Sequence, residues 1–169
     1  TVEHIDDYFG EKVADPYRWL EEDVRNADRV RAWVEAQNAV TFDYLRQLPG
    51  RRTLEERLTA LWDYEKRGVP YEVGGRWFSY RNDGLQNHAV LYHGPTADGP
   101  WEVLFDPNGW SEDGTVALGG VVLSDDGRHA AYAIQQAGSD WRTWRVRDVT
   151  TGEDLPDELR YLKFTGVSW

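Results

Sequence analysis

Apolar side chains in the first third of the chain recur at three- and four-residue steps. Between Asn26 and Pro49 they fall at Val30, Trp33, Val34, Tyr44, Leu45 and Leu48, with Gln37 and Thr41 on the same line, while Arg29, Arg31, Glu35 and Asp43 fall off it. That is the α-helical period, so the stretch is predicted to be an amphipathic helix whose apolar face seeks a partner, opened by Asn26 as N-cap and stopped by Pro49-Gly50. A second helix is predicted from Thr53, where Thr53 and Glu56 have capping-box spacing and Leu54, Leu58, Leu61 and Trp62 form the apolar stripe. The first third therefore reads as a helical hairpin.

After Tyr64 the pattern changes to runs of four to eight residues separated by Gly, Asp and Pro turns, the pattern of strands. Strands are predicted at 77–81, 88–93, 101–106, 121–124, 129–135 and 141–149. In the last, Trp144 and Val146 alternate with Arg145 and Arg147, as in a strand with one wet face. No helical pattern interrupts them, which predicts antiparallel sheets rather than strand-helix-strand units. Gly75-Arg76-Trp77-Phe78-Ser79-Tyr80 and Gly127-Arg128-His129-Ala130-Ala131-Tyr132 share G-R-x-x-x-Y, and each follows a tight turn. Their offset is close to the ~40–50 residues of propeller blades, so about two blades are expected here and the rest beyond Trp169.

Composition narrows the class. A chain of 169 residues with 40% hydrophobic and 29% charged residues is long enough for a packed core and is not a disordered type. Nineteen basic against 30 acidic residues give a net charge of −11, which opposes a phosphate backbone or an anionic leaflet, so neither nucleic acid nor membrane is an expected partner. No apolar run approaches the ~20 residues of a membrane span, so a soluble protein is expected, its compartment, cytoplasm or periplasm, left open by the sequence. The absence of Cys excludes a disulfide framework, a thiolate zinc site and a Cys nucleophile. The sequence starts at Thr1, has no Met and stops in mid-pattern at Gly166-Val167-Ser168-Trp169, so it reads as the front part of a larger protein.

Chemistry-bearing motifs are sparse. A nucleophile elbow needs G-x-S-x-G, and Ser79, Ser111, Ser124 and Ser139 all fail it; at Ser168 the sequence ends before the second Gly position. His88 and His93 bracket a predicted strand on opposite faces and are expected at its surface or edge, and no metal site is predicted. The acidic turns Ser111-Glu112-Asp113-Gly114 and Ser124-Asp125-Asp126-Gly127 lack the alternating ligands of a calcium loop, and Asx-turn chemistry accounts for them. No phosphate-cradling glycine motif is present, and no cofactor is expected. The nine Trp and nine Tyr are expected mainly to fill space between sheets, with ligand stacking as the alternative.

Particular strings add to this. Asp15-Pro16-Tyr17-Arg18-Trp19-Leu20-Glu21 and Val34-Glu35-Ala36-Gln37-Asn38 resemble the opening of the prolyl oligopeptidase family of serine peptidases. The resemblance continues in order through Gly84-Leu85-Gln86-Asn87, Asp106-Pro107-Asn108, Ser111 to Leu118, and Gly138-Ser139-Asp140-Trp141. It implies a two-domain enzyme in which an α/β-hydrolase domain is covered by a seven-bladed β-propeller. Residues 1–63 would be the helical N-terminal piece of the hydrolase domain, and residues 64–169 the first antiparallel blades. It further implies a monomeric enzyme hydrolysing short proline-containing peptides on the carboxyl side of proline, the propeller gating access. Its serine, histidine and aspartate would lie in a C-terminal catalytic segment outside this sequence, so no catalytic residue is assigned.

By the same resemblance, Asp140 and Phe164 would line the subsite for the third residue before the cleaved bond, the ring as an apolar wall and the carboxylate favouring a cationic peptide. From the residues alone, Asp140 is equally a turn residue and Phe164 a member of a blade core. Two other classes stay open: a non-catalytic propeller used as a binding module, and a propeller glycosidase suggested by acidic Ser-x-Asp-Gly turns and many Trp. Against the latter, Ser124-Asp125-Asp126-Gly127 lacks the extra residue and following Trp of an Asp-box.

Overall fold

The computed structural model describes every residue, Thr1–Trp169, and the chain divides into two compact units, Thr1–Arg57 and Leu58–Trp169. The first unit opens with an antiparallel hairpin of β1 (Ile5–Tyr8) and β2 (Glu11–Ala14). Its two-residue turn places Phe9 and Gly10 at φ of 59° and 94°, the geometry whose twist suits such a hairpin, and the Gly10 N–H donates to Asp7 Oδ1 at 2.7 Å. A 3₁₀ turn at Arg18–Glu21 follows, its arginine pairing with Asp6, Asp15 and Glu21.

The first long helix, α1 (Asp28–Arg46), starts after Ala27 with no side-chain cap. Asn26 is not its N-cap: the N–H groups of Asn26 and Ala27 both donate to the Asp23 carbonyl at 2.9 Å, so a preceding backbone turn leads into the helix. Of its apolar stripe only Val30 is buried; Trp33 meets Trp19 edge-on at 6.2 Å, and Arg29 lies 4.2 Å over the Trp19 ring. The next helix, α2 (Arg51–Trp62), begins two residues before Thr53, so the Thr53–Glu56 capping box does not form, and none of its residues is buried.

The assignment of residues 1–63 to an α/β-hydrolase domain is corrected by this structure. Such a layer is a mostly parallel sheet with helices packed on it through crossover connections. The only strands before residue 64 are β1 and β2, antiparallel and joined by a two-residue turn, and α2 buries nothing. Helical periodicity predicted the helices, but it carries no information about which sheet, if any, a helix covers.

The second unit is almost entirely sheet, and all its strand pairs are antiparallel. In the first sheet β3 (Lys66–Arg67) and β4 (Tyr71–Val73) both pair with β5 (Arg76–Asn82), followed by β6 (Val90–Gly94) and β7 (Glu102–Phe105). A 3₁₀ turn at Pro107–Gly109, capped by Asp106, leads into the second sheet. There β8 (Val116–Leu123), β9 (His129–Gln136), β10 (Trp141–Asp148) and β11 (Asp154–Lys163) pair in sequence order. The two G-R-x-x-x-Y strings fall in equivalent places, leading into β5 and β9 from turns where Gly75 and Gly127 hold φ of 77° and 67°.

The two sheets pack face to face. Phe78, Leu91, Leu104 and Phe105 of the first meet Ala130 and Tyr132 of the second, with the Phe105 and Tyr132 rings 4.5 Å apart. Alternation along β9 turns Ala131 and Ala133 to the opposite face, where they pack with Trp144, Val122, Val146 and Leu162. The second sheet is therefore apolar on both faces, unlike the one-wet-face reading of β10. Arg145 and Arg147 belong to the face that meets the first sheet, and Arg147 Nη1 donates to the Leu104 carbonyl of β7 at 3.0 Å. No helix is long and apolar enough to cross a membrane.

Candidate substrate-binding site

Asp140 and Phe164 stand at the same end of the second sheet, the one just before β10 and the other just after β11. Register explains the proximity, because Trp141 pairs with Lys163 across the two strands. The Asp140 carboxylate accepts an ion pair from Lys163 Nζ at 3.2 Å, with side chains 51% and 36% exposed. The same ammonium lies 4.9 Å from the centre of the Phe164 ring and 5.5 Å from that of Trp141, within cation–π range of both. Four side chains are thus brought together where the sequence singled out two.

The preceding turn is held by other groups. Ala137 and Gly138 carry its positive φ, the Ser139 N–H donates to the Gln136 carbonyl at 2.8 Å, Gln135 Nε2 donates to the Ser139 carbonyl at 2.7 Å, and the Trp141 N–H donates to Ser139 Oγ at 3.2 Å. The Asp140 carboxylate is turned towards Lys163 instead. Phe164 is 79% exposed in this chain, and at φ 53° it holds the left-handed conformation a bulky residue rarely adopts. Such strain costs about 1–3 kcal/mol and is typical of functional sites. Trp141 and Lys163 were missed as site residues because their membership depends on the partner strand β11, which the sequence reading did not predict.

Elsewhere polar groups serve the fold. In β10–β11, Arg147 Nε and Tyr132 Oη donate to Asp154 at 2.7 and 2.9 Å. Burial pushes the Asp154 carboxyl up, but these bonds outweigh it and hold the group below its ordinary range. Hydrogen bonds from Arg160 and then Arg145 likewise hold Glu158 down. His93 is buried rather than at a surface or edge, and burial is the main cause of its lowered pKa; the His88 ring sits 2.8 Å from the Gly114 carbonyl. Ser124 Oγ donates to Asp126 and accepts from the His129 N–H, holding the acidic turn together. No cluster of three or more His, Asp or Glu stands close enough to hold a metal ion. An apolar cavity of about 270 Å³ opens on the outer face of the second sheet beside Trp144, Val146, Leu159 and Trp169.

Comparison with known proteins identifies the family of the chain. Residues 1–169 match the family model described as the prolyl oligopeptidase N-terminal beta-propeller domain. The match begins at residue 1, so residues 1–63 fall within a propeller-domain family, the second finding against their hydrolase assignment. The chain is 43% identical over 168 residues to a prolyl endopeptidase of Elizabethkingia meningoseptica and 41% identical over 168 to that of Elizabethkingia miricola, each alignment covering 99% of this chain and 23% of the relative. Among solved structures, prolyl oligopeptidase B from Galerina marginata, bound to a 35mer hydrolysis and macrocyclization substrate, superposes with a TM-score of 0.76 at 31% identity, over 98% of this chain and 26% of that one. The chain therefore spans about a quarter of the length of these relatives.

Proposed function

We propose that this chain, which belongs to the prolyl oligopeptidase N-terminal beta-propeller family, supplies the first propeller blades of a serine endopeptidase that cleaves short peptides on the carboxyl side of proline. The names of its relatives, prolyl endopeptidases at 41–43% identity along essentially the whole chain, support that activity. Serine, histidine and aspartate in a C-terminal catalytic segment of the complete polypeptide carry the chemistry: serine attacks the carbonyl carbon, histidine takes its proton and returns it to the leaving amine, and aspartate orients the imidazole. The present chain contributes binding, and by itself gives no turnover.

The observation that carries the binding role is Phe164, exposed and held in a strained backbone conformation beside the Asp140–Lys163 pair. An exposed ring gains by covering an apolar peptide side chain, at about 25 cal/mol per Å² of apolar area removed from water. The test is Phe164→Ala in the complete enzyme, assayed on proline peptides with leucine or glycine as the third residue before the cleaved bond. The leucine peptide is expected to lose about 5- to 10-fold in kcat/KM, for ~1–1.4 kcal/mol of lost contact, and the glycine peptide much less. Equal losses on both peptides refute the subsite role.

A further inference from the structure

We propose that Lys163 is a specificity-determining residue of this site: by pairing with Asp140 it withholds that carboxylate from cationic peptides and offers its own charge to anionic ones. The inference rests on the reading of Asp140 and Phe164 as substrate-facing and goes beyond it by assigning the charge preference of the subsite to a third residue. Unpaired, Asp140 would favour a peptide carrying a positive group, as its carboxylate alone suggests. In the structure that carboxylate is already 3.2 Å from the Lys163 ammonium, so an incoming cation must compete for it.

Two features make the competition a poised one. Both side chains are partly exposed, and an ion pair in that setting is weak and screened by salt. The ammonium also has other partners where it stands, because the Phe164 and Trp141 rings lie 4.9 and 5.5 Å from it. When a substrate cation takes Asp140, Lys163 stays on the aromatic faces and is not expelled into water. The backbone fixes the geometry: Trp141 opposite Lys163 is the terminal pair of the β10–β11 ladder, and Phe164 at φ 53° turns the chain immediately afterwards.

The experiment uses the complete enzyme and two proline peptides that differ only in lysine or glutamate as the third residue before the cleaved bond. The readout is the ratio of their kcat/KM values at low salt, which is independent of the fraction of enzyme folded. Lys163→Met is expected to raise the lysine-to-glutamate ratio about fivefold, Lys163→Arg to leave it within twofold, and added salt to shrink the change. In an Asp140→Asn background the gain on the lysine peptide should vanish while the loss on the glutamate peptide persists. If Asp140→Asn lowers the ratio but Lys163→Met does not raise it, the role of Lys163 is overturned and the site stands. If neither variant moves the ratio, the substrate-facing reading of the site itself has failed.

Discussion

Replacing Arg147 by methionine keeps the aliphatic stem and removes a side chain that hydrogen-bonds from the second sheet to the first while pairing with Asp154 within its own. Its guanidinium donates to the Leu104 carbonyl of the neighbouring sheet at 3.0 Å and to Asp154 at 2.7 and 3.2 Å, and it lies 4.8 Å over Phe105 and 5.3 Å over Tyr132. Charge-assisted bonds contribute about 1.5–3 kcal/mol each when buried. Here Arg147 is 23% and Asp154 35% exposed, and the Asp154 carboxylate keeps its bond from Tyr132, so water recovers part of the loss. Allowing about 1 kcal/mol for the stranded Leu104 carbonyl, the variant should lose ~2–3 kcal/mol.

Hydrogen exchange on the complete protein reads this locally. Amides of β7, β10 and β11 should exchange roughly thirty- to a hundredfold faster, a factor of ten for each 1.4 kcal/mol, while α1 stays unchanged. A lowered carboxyl pKa contributes stability that is present above its ordinary value of 3.8 and lost as pH falls through the lowered value, so the parent should shed protection in these strands below pH 3.8. Arg147→Met should show a smaller acid loss. Acceleration below threefold, or equal acceleration in α1, refutes the role of Arg147 as the tie between sheets.

Two further outcomes follow from the packing. In the isolated chain, Leu54, Leu58 and Leu61 are 64%, 63% and 52% exposed on a helix with no buried residue, so the chain should bind an apolar dye and self-associate, and changing all three to Gln should reduce both; a monomeric parent with no dye binding contradicts this. A Cβ on Gly127, at φ 67°, would stand 2.5 Å from the Val73 carbonyl, whereas at Gly152, φ 72°, nothing lies within 4 Å; Gly127→Ala should therefore destabilise by about 1–2 kcal/mol more than the ~1 kcal/mol of Gly152→Ala, read from thermal midpoints, and equal shifts refute the close approach.

Strands were legible where alternation and turn residues agreed. The predicted run at 129–135 became His129–Gln136, and that at 141–149 became Trp141–Asp148, because apolar alternation and the Ser124–Gly127 and Ala137–Ser139 turns mark their ends. The final strand, Asp154–Lys163, left no such trace: Pro156, three acidic residues and two basic ones mask it, and most of it is exposed, so no apolar face disciplines its sequence. The hairpin at Ile5–Ala14 was hidden for the same reason, each arm being four residues long and almost fully exposed. The site inherited that blindness. Asp140 and Phe164 came from family strings, while the ion pair that joins them required the register of a strand the pattern does not show.

That strand also governs what the fold can attach to. As the outer member of its sheet, it presents the row of main-chain donors and acceptors that elsewhere invites another ribbon to dock. Pro156 deletes one donor, Tyr161 at φ 60° breaks the line, and Asp157, Glu158, Arg160 and Lys163 surround it with fixed charge. A ribbon built this way is a poor template for fibrillar stacking, so a second chain meeting this edge finds little to extend.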